Sequence, residues 1–455
     1  MIINSKFFIV IILFFIILYS FVVTIATDYS WYINRIDWYA YSGIFYDSGF
    51  DVFGAWESFM TFLNSKNINI FGNLYIFYWL QGLLYSILST LVLFKLLKLQ
   101  YKYEVDIYLG TISYILLAFF TTIYIGARPE NIYVSSIVII LYFLYKFIES
   151  DKFIWIYFAS FISIFGALSH PNGLILFVIL FIFAVKLIVF KKFSIIHFIL
   201  NMLIICSLFY SGLFFGQTHS EFLNFFQNIS NNSAHSLPFY YEPKRYISFI
   251  FEHLLISPLF LFGLFTLVLY MKKYLLCFKE YFFENFISLS SLFIIVYLIF
   301  IGAKWEYYLS LLFPFMVLSI IEYIKDKNFN KHFFIGLGFV LMLIIIGKDF
   351  KKNEEFLSIL NIPSQRVNII NEVKNTIEDS KVYAPMRLYI MYKYYDRFVP
   401  LEKSNIANQK FDFVILDFSS TIKNYEVKLD SDLQYIRSFV YNGHYYNLFK
   451  VNDGK

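Results

Sequence analysis

The sequence predicts a polytopic α-helical membrane protein with a small C-terminal α/β domain, and three observations carry that expectation. Of 455 residues, 59% are hydrophobic and 15% charged, with a mean hydropathy of +0.63, a composition outside the ordinary globular range. Apolar stretches of about 20 residues, enough to cross a bilayer core, recur as far as Gly347. Beyond that glycine, charged and polar residues run throughout, so a domain boundary is expected between 1–347 and 348–455.

Taken in order, the first apolar stretch covers 7–26, with Lys6 as its one preceding charge. About twenty unbroken apolar residues exceed a secretory signal's core, so an uncleaved first span with a cytoplasmic N-terminus is expected. Further spans are expected near 74–97, 106–125, 131–148, 153–169, 173–190, 193–215, 247–270, 285–302, 307–324 and 332–347, about eleven in all. Lys95, Lys98, Lys102, Lys146, Lys152, Lys186, Lys191, Lys192, Lys272, Lys273, Lys279, Lys325, Lys327 and Lys331 then all fall at the cytoplasmic side. That basic bias orients a membrane protein. It places 348–455 outside the cell membrane.

The outer loops 27–73 and 216–246 are long, and long ordered loops carry function. In the first, Phe53, Trp56, Phe59, Met60 and Leu63 recur at helical spacing opposite Glu57, Thr61 and Asn64. This reads as an amphipathic helix in the membrane interface, with a simple aromatic belt as the alternative. Within 348–455, Val367, Ile370, Val373 and Ile377 space as a helix, while 381–383 and 411–416 read as short buried strands. Asn442-Gly443 between two aromatic-rich runs, 435–441 and 444–451, predicts a β-hairpin.

Composition also excludes. A net charge of +5 with scattered lysines gives no nucleic-acid stripe. Cys206 and Cys277 fall at different expected depths, so neither a disulfide nor a metal site follows. No cofactor is indicated, although a divalent metal stays compatible with the sequence.

The segment 1–347 holds three arginines, Arg35, Arg128 and Arg245, and all are expected on the outer side. Orientation does not need them there, so they point to an anionic ligand. Arg128 stands in the tight turn Ala127-Arg128-Pro129-Glu130-Asn131; its planar fork of donors suits phosphate oxygens, and ionisable groups at membrane depth are functional candidates. The alternative is a plain turn in which Pro129 opens a helix and Glu130 favours its N-terminus.

Asp37, beyond the first span, shares a helical face with Tyr41. A carboxylate hemmed by aromatics can take a hydroxyl proton if desolvation raises its pKa toward working pH. Asp28 competes for this role, as do Asp47 and Asp51. His170, in Ser169-His170-Pro171-Asn172-Gly173, brings a polar group to the same face, as do Lys304 and Tyr307 ahead of Pro314 and the pair Lys244 and Arg245. Interfacial anchoring is the alternative for these last two groups.

In this order, Asp37 with Tyr41 and Gly49, Arg128-Pro129-Glu130, His170-Pro171-Asn172-Gly173, and Lys304 through Pro314 resemble the pattern of the GT-C superfamily of integral membrane glycosyltransferases. This superfamily includes protein O-mannosyltransferases and lipid A aminoarabinose transferases. The resemblance spans the whole chain and implies an outer-face reaction. An aspartate, Asp37 or Asp28, would deprotonate an acceptor hydroxyl that attacks a polyprenyl-phosphate-linked sugar, with inversion. Arg128, Lys304, Arg245 and Lys244 would neutralise the departing phosphate, and Tyr41, Glu130, His170 and Tyr307 would contact substrate. The implied partners are the polyprenyl-phosphate donor, a glycan, lipid or protein acceptor, and membrane lipids. Trp38 after Asp37 departs from the paired acids of many members and leaves the base open.

Two other readings stand beside it. A polysaccharide polymerase of the Wzy or EpsG type also carries an outer-loop aspartate but generally lacks a folded C-terminal domain. A transporter or flippase would place its charges near the midplane and often shows repeats.

Overall fold

In the computed structural model, the described residues are 4–22, 74–120, 129–169, 171–190, 195–213, 246, 257–277, 280–300, 306–327, 329–352, 373, 375–377, 380, 382–384, 398–400, 412–417, 433–441 and 444–451. The chain divides into two compact units. One includes Ile76–Gly347 and the other Lys348–Lys455.

The first unit is helical. Its α-helices are α1 (Ser5–Val22), α2 (Leu74–Gln100), α3 (Glu104–Phe120), α4 (Pro129–Ser150), α5 (Ile154–Ser169), α6 (Ile175–Val189), α7 (Ile195–Leu213), α8 (Ser257–Tyr274), α9 (Phe282–Phe300), α10 (Phe313–Asp326) and α11 (Lys331–Lys352). A helix thus lies on each of the apolar stretches read from the sequence. Among the described residues, five segments are long and apolar enough to cross a membrane: Gly82–Gln100, Asn131–Ser150, Asn172–Val189, Phe282–Phe300 and Tyr308–Asp326. Shorter apolar helices cover Ser5–Ser20, Ile154–Ala167, Ile199–Leu208 and Lys331–Gly347.

Prolines set two helix starts. Pro129 is the first residue of α4, where its missing N–H would have had no intrahelical partner. The stretch expected as one span from 307 instead begins as a 3₁₀ segment, Glu306–Leu312, and turns α-helical at Phe313 with Pro314 in the first turn. A second 3₁₀ segment, Pro171–Leu174, leads into α6. Between α4 and α5 the chain reverses through Asp151 at φ 52°, a left-handed conformation that Asp tolerates through its short polar side chain.

Packing runs through aromatic and aliphatic contacts on all sides. Phe8 of α1 stacks on Tyr108 of α3 at 4.0 Å, and Tyr19 stacks on Phe119 at 3.8 Å, so α1 and α3 run side by side in one direction. Gly110 lets α3 approach its neighbours, because a Cβ there would collide with Ile321 of α10 and Leu97 of α2. α10 is the most enclosed helix; its residues from Phe313 to Ile321 are all buried. The outward faces stay apolar, as with Leu200, Leu203 and Ile204 on α7, which suits helices that meet lipid.

The second unit contains a five-stranded sheet in the order β2-β1-β3-β5-β4, formed by β1 (Val382–Ala384), β2 (Phe398–Pro400), β3 (Phe413–Asp417), β4 (Leu433–Tyr441) and β5 (His444–Val451). β1 pairs in parallel with β2 and β3, whereas β5 is antiparallel to β3 and β4. The expected hairpin forms with Tyr441 opposite His444, which leaves Asn442-Gly443 as the two-residue connection. Phe439 stacks on its cross-strand partner Tyr446 at 5.5 Å. A register shift between Tyr435 and Arg437 bends β4. Val373 and Ile377 are buried with Val382, Val414, Ile415 and Leu448. β2 was not expected; it is a short edge strand ending in Pro400, and such strands give little periodic signal.

Candidate functional site

The helices alternate, so each end of the helical unit collects its own set of termini. One end gathers lysines and acids. There Lys186 of α6 donates to Asn285 Oδ1 of α9 at 2.5 Å and lies 4.7 Å from the centroid of the Phe282 ring. Asn285 Nδ2 donates to the carbonyls of Tyr274 and Leu275 at 2.7 and 2.8 Å, capping two orphan acceptors at the end of α8. Lys273 pairs with Asp326 at 2.9 Å and Glu322 at 3.4 Å, and Lys331 with Asp106 at 2.6 Å. Lys186, in the last turn of α6, which ends at Val189, is 1% exposed.

Two groups of this end follow the apolar stretch 247–270, and their environment shifts both upward. Partial burial lowers the Lys273 ammonium, but hydrogen bonds to Asp326 and Tyr274 and the nearby Glu322 outweigh it and hold it well above its ordinary range. Burial pushes the Tyr274 hydroxyl up to about 12; Lys273 lowers it and Glu322, which accepts a hydrogen bond from it at 2.9 Å, raises it.

The opposite end carries the turns singled out by the sequence. Asn131, in the first turn of α4, is 2% exposed. Its Nδ2 donates to the Gly82 carbonyl of α2 at 3.0 Å and reaches Ser86 Oγ at 3.5 Å, while its Oδ1 accepts from Ser135 Oγ at 3.3 Å. Tyr297, near the end of α9, donates to Asn172 Oδ1 in the 3₁₀ segment Pro171–Leu174 at 2.5 Å. Gly173 sits directly on the Gly166 carbonyl, where a Cβ has no room; a Cβ at Gly166 would collide with Leu176 and reach Ser136 Cβ at 3.1 Å. The segment Glu306–Leu312 packs on α4, α9 and α10, and Pro171–Leu174 packs on α5 and α6. The start of α4, the end of α5, both 3₁₀ segments and the end of α9 therefore meet at one end.

The expected site residues border this frame. Arg128 immediately precedes α4, His170 lies between α5 and Pro171–Leu174, and Lys304 lies between α9 and Glu306–Leu312; all three are outside the described residues. Asp28, Asp37, Tyr41, Lys244 and Arg245, the rest of the loops 27–73 and 216–245, and the interfacial helix expected at 53–63 also lie outside them. Glu130 is the second residue of α4 and Tyr307 the second of Glu306–Leu312; their side chains are not among those described. Among the described residues no group of three or more His, Cys, Asp or Glu is placed to hold a metal ion.

Asn131 entered the sequence reading only as the last residue of the motif around Arg128, and Tyr297 escaped it. Their partners lie 49 and 125 positions away, and no local spacing encodes such pairings. Compared with protein-family models and with curated proteins, the chain matches none of them.

Proposed function

We propose that the protein is an inverting membrane glycosyltransferase of the GT-C type that moves a sugar from a polyprenyl-phosphate donor to an acceptor at the outer membrane face. One observation supports it above all. The turns carrying Arg128, His170 and Lys304 border elements that close on one another at a single end of the helical unit, away from the lysine-rich end. In this reading the chain crosses the membrane about eleven times. By the positive-inside bias the lysine-rich end faces the cytoplasm, so the opposite end and the unit 348–455 face outward.

The chemistry divides between two sets of groups. Asp37, or Asp28 in its place, takes the proton of the acceptor hydroxyl as the oxygen attacks the anomeric carbon. The bond from that carbon to the phosphate oxygen breaks, and Arg128, Lys304, Arg245 and Lys244 receive the charge that grows there. Cations held in place before the reaction stabilise such charge without reorganising. Tyr41, Glu130, His170 and Tyr307 orient the sugars. A folded sheet over 382–451 favours this reading over a polysaccharide polymerase.

The test compares cell-envelope glycans and lipid-linked sugars by mass spectrometry in cells with and without the protein, and in cells carrying Asp37→Asn or Arg128→Ala. A glycan that vanishes while its lipid-linked sugar accumulates, in the deletion and in both variants, is the expected result. Unchanged glycans and lipid-linked sugars in the deletion would overturn the function. Full transfer by Asp37→Asn would move the base to Asp28.

A further inference from the structure

Arg128 and His170, proposed to meet donor phosphate and sugar, directly precede α4 and Pro171–Leu174 in the chain, and catalysis needs such groups held within a small tolerance. The helical unit supplies two anchors at those places. Asn131 follows Arg128 by one helix-start proline and one glutamate, and every polar atom of its amide is engaged: Nδ2 with Gly82 O and Ser86 Oγ, Oδ1 with Ser135 Oγ. Ser86 is itself held by the Gly82 carbonyl at 2.7 Å. The start of α4 is thereby pinned to α2. On the other side, Asn172 is 3% exposed and receives the Tyr297 hydroxyl across the bundle, while Gly173 is seated on the Gly166 backbone. This pins the turn after His170 to α9.

We propose that Asn131 and Tyr297 are positioning residues for this transfer: they fix the start of α4 to α2 and the segment Pro171–Leu174 to α9, the two elements that directly follow Arg128 and His170 in the chain. The inference rests on the glycosyltransferase reading for its consequence and on the hydrogen bonds for its geometry. Buried amide and hydroxyl pairs suit this role. Each is costly to leave unsatisfied in a dry interior, so each favours one backbone arrangement of its turn. The hydrogen bonds of both residues run to other protein groups. Their effect should therefore fall on the alignment reached in the transition state and leave the binding of the polyprenyl tail and ground-state sugar largely intact.

The experiment uses the full chain in lipid nanodiscs, with Asn131→Ala, Tyr297→Phe and, as a control at the far end, Asn285→Ala. Sugar transfer from the lipid-linked donor that accumulates in deletion cells is measured per folded molecule, alongside hydrogen exchange of the peptides spanning 129–136, 171–176 and 270–285. The expected result is a kcat lower by about 100-fold in Asn131→Ala and Tyr297→Phe, the scale of a small misplacement of catalytic groups, with KM within roughly threefold of the wild type. Exchange should quicken at 129–136 in the first variant and at 171–176 in the second, with 270–285 unchanged. Asn285→Ala should keep its kcat per folded molecule. Unchanged kcat in both site-end variants, or exchange that rises equally at 270–285, would overturn the proposal. Should the wild type transfer no sugar, the glycosyltransferase reading falls. Exchange then decides the positioning alone: faster exchange confined to 129–136 and 171–176 upholds it, and unchanged exchange there rejects it.

Discussion

Lys186 and Asn285 meet at 2.5 Å inside the helical unit, where the lysine is 1% and the asparagine 0% exposed. Asn285 serves both neighbours at once. Its carbonyl oxygen accepts from the Lys186 ammonium and its amide nitrogen caps Tyr274 and Leu275. One side chain thus joins the ends of α6 and α8 to the start of α9.

Asn285→Leu keeps the number of side-chain heavy atoms and removes all three bonds, leaving an ammonium and two helix-end carbonyls without this partner. We expect a loss of roughly 2–4 kcal/mol, read as a lower Tm of the purified protein in detergent. A Tm equal to the wild type would mean that the asparagine contributes nothing to stability.

Lys331 and Asp106 form an ion pair at 2.6 Å, the lysine side chain 20% and the aspartate 2% exposed. Removing one partner of such a pair strands a buried charge, so Lys331→Met should cost about 3 kcal/mol. The double variant Lys331→Met with Asp106→Leu should recover most of it, since a well-packed apolar pair avoids the desolvation of both ions. A double-mutant cycle by thermal unfolding checks this, and additive losses would argue against direct coupling.

Gly173 lies against the Gly166 carbonyl with no space for a Cβ. Gly173→Ala must push Pro171–Leu174 away from α5, an overpacking that costs roughly 1–3 kcal/mol. Because this displaces the turn after His170, sugar transfer should fall further than the change in folded protein explains. Wild-type activity with an unchanged Tm would show that the turn shifts freely.

Alkaline pH should loosen the lysine-rich end. Tyr274 in the folded protein titrates at about 12, above its ordinary value of 10.0, and Lys273 is raised as well. A group raised on folding contributes stability that is full below its unfolded pKa and is lost as pH climbs through the folded one. Tm should therefore hold up to about pH 10 and fall between there and about pH 12. Tyr274→Phe should flatten part of that fall; an identical pH profile would remove Tyr274 as a source.

Much of the fold was legible in short stretches. The Asn442-Gly443 turn specified its hairpin because turn geometry and alternation act within a few residues. Apolar runs placed helices because the whole run must be buried or face lipid. Pro129 began α4 as one of its two readings required. The 3₁₀ opening of α10 was missed, since hydropathy sees apolar residues and not the backbone choice made ahead of Pro314. The Arg128, His170 and Lys304 turns were picked out by residue type, but nothing local said that their flanking elements meet.

Sequence alone determined the helical class and the C-terminal sheet's hairpin, because hydropathy and turn chemistry are properties of each segment. Tertiary structure decided that Tyr297 reaches Asn172, that Asn131 reaches Gly82 and that Lys186 is buried against Asn285. Those choices depend on which helices lie side by side, and buried polar groups, which must find partners wherever the packing brings them, record the outcome.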